Sequence, residues 1–173
     1  MAGALSSSGA VFPRVTAEQL TAQSQLILEG NIVRSWTAWD PEHKYIWTHF
    51  EVAVTDALRG ARTSTITISE PGGDLEGIHQ RFSGAVSYSR GEAMVLFLSR
   101  TPIGYWRVVG GPQGKFSVGA DGRVQANAIG GAVAAPSGRG LGGTPLSALD
   151  RLPLAQFKAQ VRRLAAAHPF RAQ

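Results

Sequence analysis

Gln25-Leu-Ile-Leu-Glu-Gly-Asn-Ile-Val-Arg-Ser-Trp36 is the stretch that decides the fold class. Leu26, Ile27, Leu28, Ile32 and Val33 give it the aliphatic, β-branched content of a long strand, and Gly30 sits inside it. A glycine within a strand marks a bulge or sharp bend, as small barrels need. The following Trp39-Asp-Pro-Glu-His43 places Asp and Pro where a turn uses them. The chain returns over residues 45–58, where Ile46, Thr48, Phe50, Val52 and Val54 alternate with Tyr45, Trp47, His49, Glu51, Ala53 and Thr55. That period of two implies one buried face and one wetter face.

Working outward, Arg59-Gly60-Ala61 turns the chain into a third strand over 64–69, with Ile66 and Ile68 inward. Pro71-Gly72-Gly73 interrupts the pattern, and a loop-rich stretch runs to Gly91. Residues 93–98 are continuously apolar, which suits a central strand. Residues 105–109 and 115–118 read as further strands, and Gly122 turns the chain before Arg123-Val124-Gln125. Upstream, Thr16-Ala-Glu-Gln19 fits a capping box that opens a short helix to about Gln23. Downstream, Leu154, Phe157, Val161 and Leu164 form one helical stripe, with Pro153 suited to the first helical position.

The expected fold is mainly β: a five-stranded OB-type antiparallel barrel with extra hairpin strands, a short N-terminal helix and a C-terminal amphipathic helix. A β-sandwich fits the same strand pattern. The expected organisation is a flexible leader over 1–15, the barrel over 16–127, a linker over 128–146 and a basic helix over 147–173. The linker is read from its Gly and Ala content, which leaves little bulky apolar surface to offset ordering entropy.

A chain of 173 residues suits one such domain. Zero cysteines exclude a disulfide frame, a zinc thiolate site, haem attachment and a thiol nucleophile. Residues 1–99 carry seven Lys/Arg against ten Asp/Glu, a balance of −3, while residues 100–173 carry ten against two, a balance of +8. A basic C-terminal third fits nucleic acid, an anionic membrane, an acidic protein, or a solvated tail. No run reaches the roughly 18 apolar residues of a membrane span. Ser8-Gly9-Ala10 has the small-x-small pattern that precedes a signal cleavage site, so an exported protein with a truncated leader is expected, periplasmic or extracellular.

Catalytic motifs are sparse. No G-x-S-x-G elbow occurs; Ser117 lies one place too far from Gly114 and should alternate outward on its strand. Gly138-Arg-Gly-Leu-Gly-Gly143 spells G-x-G-x-x-G, but Ala134-Ala-Pro-Ser137 and Thr144-Pro-Leu flank it instead of a strand and a helix. Of His43, His49, His79 and His168, none has the i, i+4 spacing of a zinc protease, and Asp40, Glu42 and His43 cluster in a turn. His49 and Glu51 share a strand face beside Trp47, a geometry for one metal edge or a substrate proton; a surface histidine hydrogen-bonded to a neighbour is the commoner arrangement, since a metal site needs three or four ligands. Trp36, Trp39 and Trp47 flank the first turn, where they stack on a ligand or partner, or plug one barrel end. The candidate binding residues are therefore Trp36, Trp39, Trp47, His49 and Glu51, with no catalytic residue, metal ligand or cofactor assigned.

Leu26-Ile-Leu-Glu-Gly-Asn-Ile-Val33, Val52-Ala-Val-Thr-Asp-Ala-Leu-Arg-Gly60 and Gly91-Glu-Ala-Met-Val-Leu-Phe-Leu98, with Pro71-Gly-Gly73 and Gln113-Gly-Lys-Phe116, resemble a family of uncharacterised bacterial exported proteins. Over residues 24–119 the order is also similar, more distantly, to the netrin-like module of tissue inhibitors of metalloproteinases. In that OB-type module a long second strand ends in a Lys-Gly turn, here Arg59-Gly60. The resemblance implies a protein partner, an extracellular protease among the candidates. Those inhibitors chelate the protease zinc through an N-terminal cysteine, which this chain lacks, so that mechanism is not carried over. The expected function is a non-catalytic exported binding module. The alternatives are a nucleic-acid-binding OB-type domain with a basic tail and a small metal-dependent hydrolase using His49 and Glu51.

Overall fold

The computed structural model describes residues 12–60, 62–127 and 142–171. The elements are α1 (Ala17–Ala22), β1 (Leu26–Trp39), β2 (Ile46–Arg59), β3 (Thr65–Pro71), β4 (Gly73–Leu75), β5 (Ile78–Gln80), β6 (Ala93–Arg100), β7 (Trp106–Val108), β8 (Lys115–Val118), β9 (Val124–Ala126) and α2 (Leu154–Ala167). Short 3₁₀ turns lie at Gly111–Gly114 and Leu146–Leu149.

β1 and β2 form a long antiparallel hairpin whose register shifts between Glu29 and Gly30. A Cβ at Gly30 would lie 2.5 Å from the Ala53 carbonyl oxygen, so the irregularity needs a residue without a side chain. The large sheet runs β1-β2-β3-β7-β6-β8-β9, and β1 also pairs with β6. From Ile27 to Asn31, β1 is thus hydrogen-bonded along both edges, and the sheet curls round on itself. β3 and β7 meet in one parallel bridge, Ile68 to Trp106, while β8 and β9 continue past β6. The result is a mainly β fold with a seven-stranded sheet and two helices, not a clean barrel. The stretch read as loop-rich contains the separate β4–β5 hairpin.

Alternation along β6 explains why its residues 93–98 are apolar without a break. Met94, Leu96 and Leu98 join Leu28, Ile32, Phe50, Val52 and Ile68 in one buried cluster. Val95 and Phe97 point the other way, into a cluster with Ile27, Phe116, Leu20, Phe157 and Val161, which includes both helices. A strand covered on both faces carries no polar alternation.

The Thr16 capping box forms as expected: Thr16 Oγ1 accepts from the Gln19 amide at 3.2 Å, and Gln19 Oε1 accepts from the Thr16 amide at 2.9 Å. Pro153 takes the N-cap of α2, one residue outside the first helical position. Phe157 and Val161 are fully buried, and Phe157 packs on Phe116 at 5.0 Å between ring centroids. Lys158 on α2 contacts Glu29 at 2.6 Å and also Asp56, and Arg162 reaches Asp56 at 2.6 Å. Cations from the basic C-terminal third thus lie on acids of the strands. Arg59 joins the two helix ends, donating from Nη1 to the carbonyls of Thr21 and Ser24 and from Nη2 to those of Ala165 and His168.

Part of the stretch read as linker is anchored. Thr144 donates through its amide and hydroxyl to the Glu18 carboxylate. Burial pushes that carboxyl up, but hydrogen bonds from Thr144, from the Glu18 amide and from the Thr16 side chain together outweigh it and bring it to about 2. The rest of that stretch, residues 128–141, lies outside the described residues, as do residues 1–11 of the leader. Residues 12–15 lie against the 3₁₀ turn: Gln113 Nε2 donates to the Pro13 carbonyl at 2.9 Å and its Oε1 accepts from the Val15 amide at 3.2 Å. Among the described residues no helix is long and apolar enough to cross a membrane.

Candidate functional site

The β1–β2 register places Trp36 directly opposite His49. Their rings stack at 5.4 Å between centroids with planes 30° apart. Tyr105, from the loop between β6 and β7, reaches the same face and meets His49 edge-on at 5.3 Å and Trp47 at 5.0 Å. His49 Nδ1 lies 2.8 Å from the Ser69 hydroxyl on β3. Above this layer the Arg34 guanidinium stands 4.9 Å from the Trp36 ring and pairs with Glu51 at 2.8 Å. Cation, indole and imidazole thus form a graded stack in which each ring limits the freedom of the next.

Four of the five residues singled out from sequence therefore gather here, and Trp39 does not. Trp36 and Trp39 are an odd number of positions apart on one strand, so they leave opposite faces. Trp39 instead stacks on His43 at 6.3 Å and donates through Nε1 to Glu76 at 3.4 Å. The expected wetter face of β2 is also not wet where it matters. Trp47 and His49 are 9% and 8% exposed, against 38% for Trp36, because Tyr105 and Trp36 cover them. Burial lowers the His49 pKa below its ordinary 6.5, which keeps the imidazole neutral at neutral pH.

His49 and Glu51 do not converge on a common point: one faces Ser69, the other Arg34. Among the described residues no group of three or more His, Cys, Asp or Glu side chains is placed to hold a metal ion. Ser117 donates to Glu92 at 2.9 Å, and Glu92 in turn pairs with the buried Lys115 at 2.7 Å.

A second polar centre was not singled out from sequence. Glu70, at the end of β3, is 3% exposed and pairs with Arg107 at 3.2 Å, with the Tyr88 hydroxyl at 3.4 Å. Burial pushes the Glu70 carboxyl up against the opposing pull of Arg107, and burial pushes the Tyr88 phenol well up. The indole Nε1 of Trp47 and the Nε of Arg107 are buried with no hydrogen-bond partner, and the Arg107 guanidinium stands 5.9 Å from the Trp47 ring. The signal for Glu70 was present: it continues the alternation of Ile66 and Ile68, and so shares their inward face.

Glu70 also lines a cleft of about 470 Å³, together with Thr37, Thr48, Phe50, Arg81 and Phe82. Thr37 and Thr48 alternate with Trp36 and His49, so the cleft and the aromatic stack occupy opposite faces of one hairpin. Pro71-Gly72-Gly73 carries the chain over it. A Cβ at Gly73 would lie 2.8 Å from both Thr37 Cγ2 and Thr48 Oγ1, and its φ of +147° suits glycine. No protein-family model, curated protein or solved structure matches this chain.

Proposed function

We propose that the protein is a non-catalytic, exported binding module, an OB-type barrel that recognises another protein through the outer face of its β1–β2 hairpin. The observation that carries this reading is Trp36, exposed at its rim yet stacked on buried His49 from below and flanked by Arg34. Trp, Tyr and Arg are the side chains over-represented where binding energy concentrates. A ring already held in place has little conformational freedom left to lose on docking.

The strand order supports the OB-type reading. β1 pairs with β2 and β6, β2 with β3, β6 with β7, and β3 with β7 in parallel. In that architecture the second and third strands, with the loops at one end, form the ligand face. Trp47, His49, Ser69 and Tyr105 stand on the corresponding elements here. A nucleic-acid ligand has less support, because the cations near this face are paired: Arg34 with Glu51 and Arg107 with Glu70. An extracellular protease is the partner class suggested by the netrin-like resemblance.

The test uses immobilised protein exposed to bacterial culture supernatant and to a panel of purified extracellular proteases. The wild type should retain a specific protein, Trp36→Ala should lose it, and Trp39→Ala should keep it. Equal retention by Trp36→Ala, or no retained protein at all, would reject the reading.

A further inference from the structure

The cleft beneath the β4–β5 hairpin has a chemistry distinct from the aromatic stack. Its volume of about 470 Å³ falls within the range of small-molecule sites. Phe50 and Phe82 supply ring surface, and Phe82 is 39% exposed at the mouth, where it meets Tyr45, itself 40% exposed, edge-on at 5.8 Å.

The polar lining is rich in acceptors. Thr48 Oγ1 donates its proton to the Gly72 carbonyl at 2.7 Å, and Thr37 Oγ1 donates to the Asp74 carbonyl at 3.0 Å. Both hydroxyls thus keep oxygen lone pairs and no spare proton. The Glu70 carboxylate accepts from Arg107 and Tyr88 at 3.2 and 3.4 Å, long for a charged acceptor, and from the Val86 amide, which leaves part of its four-fold acceptor capacity open. A complementary ligand must bring donors.

The charges narrow the choice further. Each ionic group lining the cleft is already paired: Glu70 with Arg107, and Asp74 with Arg81 at 2.7 Å. A cationic or anionic ligand would find no free counter-charge, whereas neutral hydroxyls can donate to Thr37, Thr48 and Glu70. An apolar ring face against Phe82, with hydroxyls around its edge, describes a sugar.

We propose that this cleft binds a neutral saccharide of one or two rings, its hydroxyls donating to Thr37, Thr48 and Glu70 and one ring face lying on Phe82. The proposal is separable from the protein-binding reading: Trp36, His49 and Tyr105 do not line the cleft, and the Arg107–Glu70 pair, with Arg107 against Trp47, is the link between the two faces.

The test is saturation-transfer NMR on the full chain with cellobiose, maltose and N,N′-diacetylchitobiose at ~10 mM each, a concentration that detects millimolar binding. L-Argininamide and citrate serve as charged probes. At least one disaccharide should receive saturation, with both charged probes silent. Phe82→Ala and Thr48→Val should each weaken that signal by ~10-fold, while Ile103→Ser, remote from the lining and 52% exposed, should leave it intact. Circular-dichroism melting of the three variants establishes that each is folded. Because Phe82 is partly exposed, its variant tests the site without emptying the core. Silence from all three disaccharides, a stronger response from a charged probe, or wild-type binding by folded Phe82→Ala would overturn the proposal.

Discussion

His49 and Trp36 stack across the β1–β2 hairpin at 5.4 Å, with His49 Nδ1 on the Ser69 hydroxyl. Burial lowers the imidazole pKa from 6.5, so on acidification the unfolded chain takes up the proton before the folded one. The stability held by the neutral ring is therefore fully present above the unfolded value and declines as pH falls through it toward the folded value. Urea unfolding midpoints should drop between about pH 7.5 and about pH 5.5, and His49→Gln should drop less. An identical pH dependence in the two proteins would count against a neutral, buried His49.

Arg59 is the common partner of both helix C-termini, with four carbonyls on its two terminal nitrogens. Hydrogen bonds to a charged donor are worth more than neutral ones, and the carbonyls at a helix end have no partner within the helix. Arg59→Ala should cost ~3 kcal/mol in denaturant unfolding. Arg59→Lys should recover only part of it, because a single ammonium cannot span two helix ends. Hydrogen exchange should show the last turn of α2 opening first.

Gly30 offers a steric test of the hairpin. A methyl group there would lie 2.5 Å from the Ala53 carbonyl oxygen and 2.7 Å from Val52 Cγ1. The first of these is backbone and cannot swing away. Gly30→Ala should destabilise by ~2 kcal/mol or more. Gly77→Ala, where a Cβ meets nothing within 4 Å, should cost ~1 kcal/mol, from its φ of +79° alone. Thermal melts of the two variants give the comparison.

These residues also show what the sequence makes readable. The Thr16 and Gln19 pair and the Gly30 irregularity were legible because their causes are local: three residues in one case, a missing side chain in the other. The burial of Trp47 was not, because Tyr105 covers it from a distant loop, and alternation within β2 carries no trace of that. Trp39 is close to Trp36 in sequence, but strand parity separates them. Glu70 lies one residue past the strand predicted over 64–69, and β3 in fact runs on to Pro71. The pairing of Glu70 with Arg107 depends on β3 and β7 coming together, a long-range event. The second edge of β1, paired with β6, is likewise invisible to any short window.

Lys158 ties α2 to the strands through Glu29 and Asp56, and all three side chains are about four-fifths buried. A double-mutant cycle of Lys158→Met with Asp56→Asn should give a coupling of ~1 kcal/mol at low ionic strength. Much of that coupling should persist at ~1 M salt, since water and ions reach the pair poorly. A coupling abolished by ~0.2 M salt would place the pair at the surface instead.

Because Ile27 to Asn31 of β1 are bonded on both flanks, that part of the strand has no unclaimed side in the finished protein. On the ribosome the situation differs, since its partner run in β6, Ala93 to Leu98, is made well after it. Until that run emerges, Leu26, Ile27 and Leu28 must wait with one row of backbone donors and acceptors open to any other chain. Synthesis halted between β2 and β6 would therefore release a sticky fragment, and the hazard ends only when the later strand slots home.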